Sequence, residues 1–189
     1  MLDSIYLRAL EVEDHIKTYE WRKDPVYRSG VVSHHRYVNR EIEKRWMEDI
    51  IEKHAKGEEV RLGIVKTGTD ELIGMISLVH LDHRNRNAHF QWMIGPAEKR
   101  GHGYAIFAGI KIADYAFREL GMERVWGSIL EDNTRVLNLV HRFSDTIKIE
   151  GTLRNAVFKD GTFKNLVIVG ILKDEFYTGL EAFKKSLGK

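Results

Sequence analysis

The stretch Arg100-Gly101-His102-Gly103-Tyr104-Ala105 constrains the fold more than any other part of the chain. It follows an apolar run, Phe90-Gln91-Trp92-Met93-Ile94, and a turn through Gly95-Pro96. It opens a helical run from Ala105 to Leu120, which Gly121 ends in the C′ role. A strand that enters a helix through two glycines leaves several backbone N–H groups bare at the helix N-terminus. Exposed donors and the helix dipole make that a seat for a phosphate. The spacing is Arg-x-x-Gly-x-Ala, and neither Gly-x-Gly-x-x-Gly nor Gly-Lys-Ser/Thr fits it. Alone, the loop reads more readily as a plain turn into a helix, so its context has to decide.

Ile5 to Leu10 reads as a first strand. Glu11 to Arg22 reads as a short amphipathic helix closed by Asp24-Pro25, because the residue before a proline resists the helical region. Val26 to Val38 has no clear period and is expected to be a loop. Asn39 is a fair N-cap for a helix to about Lys56, with Ile42, Trp46, Ile50 and Ile51 on one face. Val60–Lys66 and Leu72–His80 form an expected hairpin around Thr67-Gly68-Thr69-Asp70. Arg84-Asn85-Arg86-Asn87 turns into the strand Ala88–Ile94. After the glycine loop and its helix come a strand, Val125–Leu130, and a helix from Asn133 to about Phe143 with Val136, Leu139 and Val140 inward. Two strands, Ile147–Gly151 and Phe163–Leu172, and a surface helix, Asp174–Lys185, complete the chain. The order β-α-α-β-β-β-α-β-α-β-β describes an α+β fold with one parallel crossover around the glycine loop.

The 189 residues, 43 % hydrophobic, suffice for one domain, 1–189, with a sizeable core. The formal net charge of +2 comes from interspersed acids and bases, so nothing points to nucleic acid. The absence of cysteine excludes disulfides, thiolate chemistry and cysteine-based zinc sites. No signal peptide is visible, and no apolar run approaches the roughly 20 residues of a membrane span. The expectation is a soluble, cytoplasmic protein with no metal and no membrane partner.

Taken in order, several pieces share one source. Leu7-Arg8-Ala9-Leu10 with Glu13-Asp14, Trp21-Arg22-Lys23-Asp24-Pro25, and Leu72-Ile73-Gly74 with Ile76-Ser77-Leu78 come first. Arg86-Asn87-Ala88-His89-Phe90, the glycine loop, Glu131-Asp132-Asn133, and Glu150-Gly151-Thr152-Leu153-Arg154-Asn155-Ala156 follow. In this order and spacing the chain resembles the GCN5-related N-acetyltransferases (GNAT), in the branch of the ribosomal-protein N-terminal and spermidine/spermine acetyltransferases. The resemblance implies a mixed, mostly antiparallel sheet with helices on both faces, and acetyl-CoA as co-substrate. It implies that Arg100, Gly101, His102, Gly103, Tyr104 and Ala105 hold the pyrophosphate. It also implies that pantetheine lies along the strand before the loop, with N–H groups near Met93 and Ile94 polarising the thioester carbonyl. Asn133 resembles the family asparagine that bonds pantetheine, and also reads as a simple N-cap. Arg142 stands where the family often has a lysine near the ribose phosphate, and reads equally as an exposed helix charge.

Acyl transfer from a thioester to an amine needs a neutral amine, a polarised carbonyl and a proton for the leaving thiolate. His89 lies on the strand face shared with Gln91 and Met93, where family members often carry a glutamate. It is the candidate base or water-orienting group, with a hydrogen-bonded structural histidine as the equal alternative. The family's tyrosine acid, seven residues after the asparagine, is here Val140, which has no proton to give. Water, His141 or Ser144 could replace it, or positioning alone could carry the rate. A catalytically silent acyl-CoA-binding protein is the remaining alternative.

For the acceptor, polyamine-acetylating members carry acids in the segment after the first helix, whereas this chain offers Arg28, His34, His35, Arg36 and Arg40. Such a segment suits an amine that also bears phosphate or carboxylate, a nucleotide-linked amino sugar among them. A protein N-terminus is the alternative by resemblance, a polyamine is least favoured, and a solvated loop with no ligand is the bland reading. Family members are frequently dimers, which makes a homodimer an expected assembly.

Overall fold

The computed structural model describes residues 2–33 and 35–187. Strand β1 (Ile5–Ala9) leads through a 3-10 turn to helices α1 (His15–Trp21), α2 (Pro25–Gly30) and α3 (Arg40–Ala55). Strands β2 (Val60–Lys66), β3 (Glu71–Asp82) and β4 (Asn87–Ile94) form a meander that ends in the glycine loop. Helix α4 (Tyr104–Arg118), strand β5 (Arg124–Leu130) and helix α5 (Thr134–Arg142) follow, then β6 (Lys148–Lys159), β7 (Thr162–Leu172) and α6 (Lys173–Leu187). The seven strands make one sheet in the order β1-β2-β3-β4-β5-β7-β6. Every pairing is antiparallel except β4 with β5, which α4 joins as a crossover.

Helix α4 buries Phe107, Ala108, Ile112, Ala113, Ala116 and Phe117 against β1, β3, β4 and β5, a stripe at helical spacing. Phe176 of α6 closes that side, its ring 5.3 Å from that of Phe117. On the opposite face Trp21, Met47 and Ile50 cover Val65, Leu72 and Met75. At roughly 1.5–3 kcal/mol for each large apolar side chain removed from water, these two layers supply the main driving force for folding. Strand β3, central and covered on both sides, is buried without interruption from Leu72 to Val79.

Three sequence expectations change. The segment after Asp24-Pro25 is not all loop: Pro25 is the first residue of α2, and the Asp24 side chain accepts from Val26 N–H at 2.8 Å. The pair that closes one helix is also the N-cap and N1 of the next. On α3 the buried positions are Glu43, Met47 and Ile50, while Ile42 is exposed. The Glu43 carboxylate accepts from Thr18 Oγ1 at 2.7 Å and from Arg22, a buried polar lock that hydrophobic periodicity does not register. Finally, β6 runs to Lys159 rather than stopping at Gly151, with two irregularities in its register. It is an edge strand exposed along most of its length, so it carries little apolar alternation for a sequence reading to find.

Candidate active site

Strands β4 and β5 pair only over Asn87–His89 and Arg124–Trp126. Beyond that point β4 keeps β3 as its partner to the end, with Gly95 N–H donating to Ile73 O at 2.9 Å. Strand β5 instead follows β7 from Arg124 to Leu130. The sheet therefore opens into a wedge whose one wall, Phe90 to Ile94, has no paired strand on its β5 side among the described residues. Met93 and Ile94 lie on that wall, where the sequence expects them.

The glycine loop caps the open end. Gly101 and Gly103 have φ of +88° and +81°, the left-handed region in which a side chain is strained. The first helical N–H groups to find a backbone acceptor are those of Ile106 and Phe107, both on Gly103 O, at 2.9 and 3.1 Å. Among the described residues, the five N–H groups from Gly101 to Ala105 find none, which is what a bound pyrophosphate requires. His102 is exposed, its ring stacked 5.9 Å from that of Tyr104.

Arg100 departs from expectation. Its N–H donates to Ala97 O at 3.1 Å, and its guanidinium turns inward, to Ile94 O at 3.1 Å, to Gly95 O, and to the Asp24 carboxylate at 2.6 Å. Burial works to raise the Asp24 carboxyl, but the Val26 N–H and Arg100 outweigh it and hold the group below the usual carboxylate range. The Trp21 ring packs against Gly95 so closely that a Cβ there would fall on the indole. Arg100 is thus a brace that ties the loop to the start of α2, and the run of open N–H groups begins at Gly101. The cation at the loop is one the sequence reading missed: the Arg135 guanidinium lies 3.4 Å from the position a Gly101 Cβ would take. Its signal was available, as a basic residue in the first turn of the helix that Asn133 opens.

Asn133 caps α5, accepting from Val136 N–H at 3.3 Å, and its amide nitrogen lies 3.9 Å from where a Gly30 Cβ would be, at the end of α2. Helices α2 and α5 thus meet beside the wedge. Val140 is buried in α5. Arg142 is exposed, its guanidinium 5.7 Å from the Phe143 ring centroid. His141 and Ser144 are exposed, and the Ser144 carbonyl accepts from Lys148 Nζ at 2.8 Å.

His89 sits at the vertex, opposite Trp126 in the parallel register, with the two rings stacked at 4.3 Å. It is 9 % exposed, and its Nε2 is buried with no hydrogen-bond partner. Burial, and then the nearby His80, push its pKa below the ordinary histidine value, so the ring is neutral at pH 7. Its Nδ1 lies 3.5 Å from the Gln91 amide nitrogen, so in the neutral ring Nε2 carries the N–H and Nδ1 is the lone-pair nitrogen that can accept a proton.

In the acceptor segment, Arg28 lies on α2 with its Nε buried and unpaired, and its Nη1 is 3.5 Å from His35 Nε2. Arg36 is exposed, and His34 falls outside the described residues. Lys159, at the end of β6, reaches across to donate to the carbonyls of Arg28 (2.7 Å), Ser29 (3.2 Å) and Val31, which clamps the C-terminal end of α2.

Comparison with known proteins agrees with this geometry. A family model described as "Acetyltransferase (GNAT) domain" matches residues 4–143. Among curated relatives, the spermidine N(1)-acetyltransferase of Escherichia coli K12 is 26 % identical over 130 residues, covering 69 % of this chain and 68 % of its own. The N-acetyltransferase YoaA of Bacillus subtilis is 30 % identical over 114 residues, covering 60 % and 63 %. In fold, the chain is similar to the crystal structure of spermidine N-acetyltransferase from Vibrio cholerae in complex with CoA and spermine, with TM-score 0.79, 22 % identity and coverage of 92 % and 98 %. Wedge, loop and sequence similarity lead to one conclusion: the chain belongs to the GNAT acetyltransferase family and is an acetyl-CoA-dependent N-acetyltransferase.

Proposed function

We propose that the acceptor is a primary amine on a molecule that also carries phosphate or carboxylate, with nucleotide-linked amino sugars as the class that fits best. The observation that supports this reading is the facing pair Arg28 and His35, 3.5 Å apart, in a segment with no acid between Asp24 and Glu41. The acids at its borders already have cationic partners. Asp24 is bonded to Arg100, Glu41 to Arg45 at 3.2 Å, and Glu43 to Arg22. A polyamine would meet the Arg28 guanidinium where it needs carboxylates, whereas an anionic acceptor would find there a cation with no carboxylate partner among the described residues.

In this reading the free N–H groups of Gly101 to Ala105, with Arg135 beside them, hold the pyrophosphate of acetyl-CoA, and Arg142 meets its ribose phosphate. The wall at Met93 and Ile94 and the Asn133 side chain receive the pantetheine, which carries the thioester that makes the acetyl group transferable. His89 lies about 13 Å along the strand from Met93, at roughly 3.3 Å per residue, so it takes the amine's proton through water. A homodimer belongs to the same reading, since the edge strand β6 and its hairpin partner leave Ile149, Leu153, Phe158 and Phe163 exposed.

Thiol release from acetyl-CoA, followed with N-terminal Ser/Ala peptides, spermidine and nucleotide-linked amino sugars, tests the acceptor. Turnover confined to the anionic amines is expected, and turnover with spermidine but not with them would overturn the assignment. Turnover with the peptides alone would point to a protein N-terminus.

A further inference from the structure

We propose that Tyr27 is the proton donor to the departing CoA sulfur, filling the role that valine at position 140 leaves empty. The phenol hydroxyl lies 3.5 Å from the Met93 sulfur, beside the part of β4 that has parted from β5. A thioether is a weak acceptor, so the contact orients the O–H without tying up its proton. The substitutes nearest to Val140 in sequence, His141 and Ser144, are both exposed at the far end of α5.

Helix α2 is fixed at both ends, which fixes Tyr27. Asp24 caps its start and is bonded to Arg100, whose guanidinium also holds the carbonyls of Ile94 and Gly95. Lys159 clamps its last carbonyls, and Asn133 of α5 lies beside Gly30. The hydroxyl is therefore held relative to the glycine loop, to β4 and to α5 together. Burial raises the Tyr27 pKa above the ordinary phenol value, so the donor stays protonated at neutral pH.

The proton account closes without a further reactant. The amine nitrogen bonds to the carbonyl carbon, and as the carbon–sulfur bond breaks Tyr27 gives its O–H proton to sulfur. The proton that the nitrogen sheds passes through water to His89 and from there back to the tyrosinate, which restores both groups. The products are the amide and the free thiol.

The role rests on the acetyl transfer itself and not on which amine is used. Tyr27→Phe keeps the ring and its packing, so thermal unfolding should be unchanged. Its kcat should fall about 10²-fold, with KM for acetyl-CoA within about threefold of wild type, and the loss of activity at high pH should vanish from the profile. A second measurement needs no acceptor: ultraviolet titration of the CoA thiol bound to wild type should show it ionising at lower pH than free CoA, an effect that Tyr27→Phe abolishes. Bound and free thiol ionising together in the wild type would overturn the proposal. So would a Phe variant with wild-type kcat and pH profile.

Discussion

His89 illustrates how much one buried ring decides. Stacked on Trp126 and with Nε2 unclaimed, it is held neutral by burial and by His80. The unfolded chain therefore binds the proton first as pH falls. The sign follows: the penalty is absent above the unfolded pKa of about 6.5 and grows as pH drops toward the lower folded value. Stability should decline below that pH in wild type, and the decline should be shallower in His89→Gln, as urea titrations at stepped pH would show. The same variant should lower kcat and flatten the acidic limb of the rate profile. An unchanged limb would make His89 purely structural. At the loop, Gly103→Asp combines a strained φ of +81° with a carboxylate beside the open N–H groups proposed to hold the pyrophosphate. Calorimetry should find acetyl-CoA binding abolished. Residue types were legible here, but side-chain direction was not. Arg100 falls on the motif yet faces Asp24, while Arg135, outside any motif, supplies the charge at Gly101.

Helix α2 is the element on which the site depends, although no apolar period marks its six residues. Its start is an Asp-Pro pair, its end is held by a lysine more than 120 residues away in sequence, and neither feature is periodic. That is why a pattern reading sees a loop there. The other strands and the long helices, the exposed edge strand β6 aside, carry apolar stripes or alternation, and their order was readable throughout. Removing the Lys159 ammonium should leave two α2 carbonyls, those of Arg28 and Ser29, and that of Val31 just beyond it short of a donor. Lys159→Met should cost about 1–3 kcal/mol in chemical unfolding and raise KM for the amine more than for acetyl-CoA. Arg100→Met should unseat the loop instead, weakening acetyl-CoA binding while leaving β4 intact.

Across the whole molecule, a sheet whose inner strands part at one wedge between β4 and β5 places the open N–H groups of the glycine loop and the vertex histidine around the same opening. The crossover and the glycine loop were foreseeable, because a strand-loop-helix of that spacing admits few arrangements. The juxtaposition of α2 with α5 and the β6–β7 hairpin was not, because it rests on contacts between residues far apart in the chain. The exposed hairpin face should bring two copies together, so sedimentation should find a dimer that Leu153→Lys shifts toward monomer. One comparison tests whether the charge at Arg28 selects the acceptor: kcat/KM for a nucleotide-linked amino sugar against spermidine, in wild type and in Arg28→Glu. The expected result is a preference for the anionic amine of at least about tenfold, lost or reversed in the variant. A wild type that prefers spermidine, or a preference indifferent to Arg28, would contradict it.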